Sequence, residues 1–279
     1  MLSYDIVDVF AETPFAGNQL AVVHAAADLP DADLLAIARE FGFSETTFPT
    51  PVDEGRYRTR IFTPGGEIPF AGHPTLGTAW VLRERGLLVG EEVVQECGAG
   101  DIGVRFEDPY VELAAVPRDR VGPLDDETVN AVLAALGLGA ADRDGDAWLA
   151  GTGLTFAHVP VTDEAVTRAR IATTMPTLPE TGDPVGGIDV YALGAGNEVH
   201  ARVFVPDLAV PEDAATGSSA AGLGIALQAR GLLGDGDSYA ISQGLEMGRS
   251  SRLLGRIDGD RIRVAGQVHH IARGEIREL

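Results

Sequence analysis

The spacing of apolar and polar positions changes several times along this chain, and each change marks an element. Residues 2–10 are rich in β-branched and aromatic side chains with partial alternation, which predicts a strand. Thr13-Pro14 and Gly17-Asn18 punctuate it, and residues 20–24 read as a short buried strand. Pro30-Asp31 then opens a helix with the apolar stripe Leu34, Ile37, Ala38 and Phe41, closed by Gly42. Residues 44–48 enter a strand. Residues 56–63 alternate, with Tyr57, Thr59 and Ile61 on one face and Arg56, Arg58 and Arg60 on the other. A helix is predicted over 75–85, ended by Gly86. Strands follow at 92–95, 102–106 and 111–114, then a polar-capped helix over 125–136. A similar series comes next. It has a helix near 164–169, strands at 188–192 and 198–205, a helix over 219–230, and strands from Tyr239 onward. Residues 117–123 read as a linker and 176–184 as a surface loop. Many strands with few helices predict an α+β fold, each lobe a curled sheet or barrel around a central helix.

The second series repeats residues of the first. Arg60-Ile61-Phe62-Thr63-Pro64, Glu67, Gly72-His73 and Arg85-Gly86-Leu87-Leu88 recur as Arg202-Val203-Phe204-Val205-Pro206, Glu212, Gly217-Ser218 and Arg230-Gly231-Leu232-Leu233. Glu67, Gly72, Gly77 and Leu82 recur at one constant offset, and the earlier strand matches after a small gap. A duplicated half-chain predicts two pseudo-symmetric lobes, residues 1–116 and 117–269, with 270–279 returning to complete the first. It also places two equivalent helix N-termini in one molecule. Facing each other across a cleft, such termini would suit a small anionic or enolate-like substrate.

Composition narrows the classes. At 279 residues the apolar content is ample for real cores. The single Cys97 excludes an intrachain disulfide and a multi-cysteine metal site. The acidic, alternating start predicts no signal peptide, and no apolar run reaches the ~20 residues of a membrane span, so a soluble, cytoplasmic protein is expected. A net charge of −21 argues against nucleic acid or an anionic membrane as partner. Every one of the 21 basic residues is Arg, which removes lysine Schiff bases, pyridoxal phosphate tethering and a Walker-A loop. No His-x-x-x-His or carboxylate cluster has metal spacing.

Glu45 stands between Phe43 and Phe48, and an apolar setting raises a carboxyl pKa towards neutrality, as acid/base work requires. The alternative is a surface Glu in a turn. His73 opens the first repeated helix, where the dipole disfavours its charge and leaves a neutral donor or acceptor. The alternative there is a capping His. Ser218 holds the matching place in the second copy. Between Glu212 and Ser219, Thr216, Ser218 and Ser219 are good N-cap residues, and Asp213 suits acid/base work or amine binding. An ordinary capped helix explains that stretch equally well. His24, His158 and His200 read as isolated and structural. His269 and His270 would point to opposite faces of a strand. Cys97 reads as inert, and Gly194-Ala195-Gly196 as a turn.

Together, these residues resemble the phenazine-biosynthesis PhzF-like isomerase family, within the diaminopimelate-epimerase-like fold. The resemblance is carried by Asp8-Val9-Phe10, Gly17 to Val23, Gly42 to Phe48, Arg60 to Thr78, Glu212 to Ser218, and Gln243-Gly244 with Met247-Gly248-Arg249. Gln19 and Ala214 depart from it, standing where the family usually has Pro. The resemblance implies an active site between two lobes, a homodimer, and catalysis without cofactor or metal. It implies Glu45, His73, Asp213 and Ser218 as catalytic residues, with Asn18, Ser44, Gly72, Thr216, Gly217 and Gln243 binding substrate. The implied reaction is a proton shift on a small, anionic, cyclic or conjugated amino or hydroxy acid, similar to that of trans-2,3-dihydro-3-hydroxyanthranilate isomerase. Related epimerases carry two cysteines at the paired helix starts, where this chain has His73 and Ser218. An amino-acid epimerase on the same fold and a non-catalytic binding homologue are the rival readings.

Overall fold

The computed structural model describes residues 1–26, 29–205 and 211–277. Pro206 of the second repeat copy and residues 278–279 of the expected closing strand lie outside the described residues. The chain forms two compact units, Met1–Ala114 with Ala265–Leu279, and Ala115–Val264.

In the first unit the strands are β1 (Leu2–Val9), β2 (Asn18–Val23), β3 (Glu45–Asp53), β4 (Arg56–Thr63), β5 (Gly66–Ile68), β6 (Glu92–Cys97), β7 (Gly100–Glu107) and β8 (Tyr110–Ala115). Strand β1 pairs antiparallel with β2, β2 parallel with β3 and β3 antiparallel with β4. The order continues through β4–β6 parallel and β6–β7–β8 antiparallel. The C-terminal strand β17 (Arg261–Ile276) pairs with both β8 and β1, which closes an eight-stranded barrel. Helix α1 (Asp31–Phe41) connects β2 to β3 and lays its expected stripe inward: Leu34, Ile37 and Ala38 are buried against Val23, Phe48 and Phe62. Each such aliphatic side chain is worth about 1.5–3 kcal/mol when buried. Gly42 closes the helix with a left-handed backbone, φ 66°.

Helix α2 (Gly72–Glu84) runs inside the barrel and touches β1, β2, β3, β6 and β7. Its residues from Gly72 to Ala79, and Val81 and Leu82, are buried, so it has no solvent stripe. A helix can cross a sheet this closely only where a side chain is missing. A Cβ on Gly77 would lie 2.6 Å from Leu20 and 2.7 Å from Val9.

The second unit contains β9 (Asp119–Val121), α3 (Asp126–Ala135), β10 (Trp148–Gly151), β11 (Thr155–Pro160), α4 (Asp163–Arg168), β12 (Val185–Leu193), β13 (Glu198–Phe204), β14 (Glu212–Asp213), α5 (Gly217–Ala229), β15 (Ser238–Gln243) and β16 (Ser251–Asp258). Its order repeats that of the first. A hairpin β10–β11 is followed by a parallel step to β12, a hairpin β12–β13, a parallel step to β15 past α5, and a hairpin β15–β16. Helix α5 is buried from Ser219 to Leu227, and a Cβ on Gly222 would lie 2.6 Å from His158. Gly77 and Gly222 are the repeated glycines of the sequence, and each serves the same close crossing.

The structure moves three expected boundaries. The expected linker 117–123 contains β9, which pairs antiparallel with β10. Helices α2 and α5 begin at Gly72 and Gly217, earlier than the apolar runs predict. The reason is that no polar side chain caps either start: Ala71 and Thr216 are the N-cap residues, and neither donates or accepts a cap bond. His73 and Ser218 thus lie within the first turn.

Candidate active site

Within the first unit, Asn18, Ser44, Glu45, Gly72 and His73 come from three elements. Asn18 opens β2, paired with Val9 of β1. The loop leading to it is held where the Phe15 amide donates to Asp8 Oδ2 at 2.8 Å. Glu45 is the first residue of β3, and Leu20 of β2 stands beside it in parallel register. Glu45 Oε2 lies 3.4 Å from His73 Nε2, with 13% of the Glu45 side chain and 5% of the His73 side chain exposed. The other imidazole nitrogen, Nδ1, lies 3.4 Å from Asn18 Nδ2. The Ser44 hydroxyl donates to Asn18 Oδ1 at 3.2 Å. Burial raises the Glu45 pKa to about 7. A carboxyl held near neutrality gives and takes a proton with little penalty in either direction.

In the second unit, Asp213, Thr216, Gly217, Ser218 and Gln243 surround the start of α5. Thr216 is at the cap position, but its hydroxyl donates to Asp213 Oδ2 at 2.7 Å instead of capping the helix. Gln243 is buried and braces this loop: its amide nitrogen donates to Asp213 O at 2.8 Å and to Thr216 Oγ1 at 3.1 Å. Ser219, expected as a capping residue, turns inward, and its hydroxyl donates to Asp189 Oδ2 at 3.0 Å. Ser218, next to it, is half-buried on the first turn. In both units the first helical turn carries amides with no carbonyl four residues back to receive them.

The repeated Arg–Glu pairs fix the approach to both helices. Arg60 grips Glu67 at 2.8 and 2.5 Å, and Arg202 grips Glu212 at 2.8 Å through both nitrogens. Each guanidinium also lies 5.1 Å from the ring centre of its own repeated phenylalanine, Phe62 or Phe204. Thr46 pairs with Phe62 and Ile188 pairs with Phe204, so Gly187 is the counterpart of Glu45. A Cβ there would collide with the Phe204 carbonyl oxygen. The Glu45 position therefore carries a carboxyl in one copy only.

The three histidines expected to be isolated all have carboxylate partners. His24 Nε2 lies 2.8 Å from Asp5, His158 Nδ1 lies 3.0 Å from Asp189, and His200 lies 2.8 Å from Asp163 and 3.0 Å from Glu246. Their partners are remote in sequence, so local spacing held no sign of them. Of the neighbouring pair, His270 reaches Asp5 at 3.0 Å. Asp5 is fully buried and also accepts from Arg85 at 2.6 Å and Arg273 at 2.9 Å. Burial would raise its pKa, but the bonds from Arg273, Arg85, His24 and His270 outweigh that and hold it well below the usual carboxylate range. Sequence reasoning missed this hub. Among the described residues no group of three His, Cys, Asp or Glu side chains is arranged to hold a metal ion.

The phenazine biosynthesis-like protein family matches residues 7–274. The chain belongs to this family. A family relative in Pseudomonas fluorescens, named trans-2,3-dihydro-3-hydroxyanthranilate isomerase, is 34% identical over 288 residues, covering 99% of each chain. Related over its whole length to named isomerases of the PhzF type, the chain is itself an isomerase. A solved structure described as a predicted epimerase of Pseudomonas aeruginosa superposes with a TM-score of 0.84 at 32% identity, covering 99% of each chain. A hydroxyproline epimerase from Agrobacterium vitis shares the fold at 13% identity and a TM-score of 0.63, over 98% of this chain and 91% of that one. The PhzF-family protein thus has the epimerase-like α+β architecture. No helix among its described residues is long and apolar enough to cross a membrane.

Proposed function

We propose that this isomerase shifts a proton within a small cyclic or conjugated amino or hydroxy acid, with Glu45 as the single proton carrier. The supporting observation is a buried carboxyl raised to about 7 and lying 3.4 Å from an imidazole. Glu45 as carboxylate removes a proton from one carbon. The freed electron pair moves along the conjugated system, and the new carboxylic acid returns the proton to another carbon. Formula and charge are unchanged, so the step calls for no external redox partner. Negative charge that develops on a substrate oxygen is met by His73 and by the first-turn amides of Gly72 and His73, where one such donor is typically worth ~3–4 kcal/mol. The family motif supports Asp213 and Ser218 as groups that hold the substrate's polar ends, with the Gly217 amide beside them. Thr216 and Gln243 keep Asp213 in place.

The natural first probe is trans-2,3-dihydro-3-hydroxyanthranilate, the substrate in the relatives' name. Glu45→Gln is expected to fold normally and lose about 10²–10⁴-fold in turnover, the usual contribution of a positioned acid/base. Wild-type turnover in that variant removes Glu45 from the mechanism. In heavy water, product is expected to gain deuterium at one carbon only, or to retain part of its own hydrogen where Glu45 is shielded. An epimerase would instead exchange the hydrogen at a stereocentre and return the mirror configuration, which a chirality assay detects.

A further inference from the structure

We propose that Asn18 is a positioning residue that fixes the His73 proton on Nε2, aimed at Glu45, and that Ser44 in turn fixes the Asn18 amide. This deepens the reading of Glu45 as proton carrier and rests on it for its functional meaning. The argument begins at Ser44, whose hydroxyl lies 3.2 Å from Asn18 Oδ1. A carbonyl oxygen only accepts, so the hydroxyl donates. The amide nitrogen of Asn18 only donates, and it lies 3.4 Å from His73 Nδ1. Nδ1 is therefore the accepting nitrogen and carries no proton. A neutral imidazole in that state has its proton on Nε2. That nitrogen lies 3.4 Å from Glu45 Oε2. Ser44 donates to Asn18 and Asn18 to His73, while His73 Nε2 faces Glu45 Oε2 at 3.4 Å without yet being aligned as a hydrogen bond. The two longer contacts have the length usual in resting enzymes, where such bonds tighten once substrate is bound.

The direction decides which group is empty at the start of the reaction. With the proton on Nε2, His73 donates to a Glu45 carboxylate, and Glu45 is the base. With the proton on Nδ1, an Nε2 lone pair would face the carboxylate oxygen. Glu45 would then take up a second proton from solvent to donate to that lone pair, leaving His73 as the base. An aspartate at position 18 would accept from Nδ1–H and impose that reversed order, besides adding a second negative charge. Asn18 and His73 are both buried, at 5% and 4% exposure, and stand on separate elements, β2 and α2. The contact is thus a feature of the packed barrel and not of one flexible loop.

The test is nitrogen NMR on [15N]histidine-labelled enzyme without substrate, with the His73 signals identified through His73→Gln. Around neutral pH, wild-type His73 is expected to show a pyridine-type Nδ1 and an N–H-type Nε2. In Asn18→Asp the N–H-type signal is expected on Nδ1, alone or on both nitrogens. A wild-type proton on Nδ1, or on both nitrogens, overturns the proposal. So does an Asn18→Asp spectrum with the His73 pattern unchanged. Should Asn18→Asp not fold, Asn18→Ser serves instead: mixed tautomers support the proposal and an unchanged pattern overturns it. With trans-2,3-dihydro-3-hydroxyanthranilate as substrate, kcat of a folded Asn18 variant is expected to fall about 10–100-fold with little change in KM, as for other partners that orient a working imidazole. A KM effect with kcat unchanged would make Asn18 a substrate contact and overturn the proposal. The spectra need no turnover, so they are independent of whether Glu45→Gln is active.

Discussion

At Glu45 the ionised form has lost most of its water and keeps an imidazole 3.4 Å away. Activity is therefore expected to rise with pH on an acid limb centred near 7, read from the pH profile of kcat/KM, and a limb near the ordinary 4.5 would contradict the geometry. The same burial has a stability consequence whose sign is fixed. The folded-state pKa is raised, so the carboxyl is tolerated at low pH and destabilises the fold as pH rises through about 7. A group at about 7 in the fold and 4.5 when unfolded costs about 3 kcal/mol once ionised in both states. Glu45→Gln is expected to raise Tm at about pH 8 and to change it little at about pH 4. Some of this was legible beforehand: Phe43 and Phe48 in the sequence point to an apolar setting for Glu45. The role of Thr216 was not, because a hydroxyl suited to capping a helix finds Asp213 three residues back, a choice made by the loop's fold.

Helices α2 and α5 are legible as a repeat and as central helices, because a run without a polar stripe is buried on every side, but that pattern does not say how closely the strands approach them. The repeated glycines carry the missing information. At an exposed helical site, Gly→Ala usually stabilises by about 1 kcal/mol. Gly77→Ala and Gly222→Ala are expected to do the opposite and destabilise by about 1–3 kcal/mol, as overpacked cores do. Urea unfolding checks this, and a stabilised Gly77→Ala would mean the barrel yields around α2. Asp5 was invisible at this scale for another reason. Its partners lie just past β2 (His24), just past α2 (Arg85) and on β17 (His270 and Arg273), which only the closed barrel assembles. Asp5→Asn leaves two arginines without their carboxylate and is expected to cost about 3–5 kcal/mol, the usual loss on breaking a buried pair. Its depressed pKa means that this stability is complete above the ordinary 3.8 and lost as pH falls below it.

The whole molecule carries −21, and an anionic substrate must approach it against that field. Raising the salt from about 0.01 to 0.1 M shortens the Debye length from about 30 to 10 Å, so KM for an anionic substrate is expected to fall over that range. A KM that rises with salt would mean that local positive groups dominate the approach. The duplicated plan was readable in the chain because Arg60, Glu67 and Gly77 each reappear, and the structure gives each copy the same job. What the chain could not disclose is where duplication stops. Gly187 stands in the place of Glu45, and its backbone is pressed so close to the neighbouring strand that no side chain fits. Racemases need two bases, one for each face of a flat intermediate. With thiols absent from both helix starts and no side chain possible at the counterpart of Glu45, a single carboxyl serving both steps is expected to take and return hydrogen on one side, giving product of one handedness.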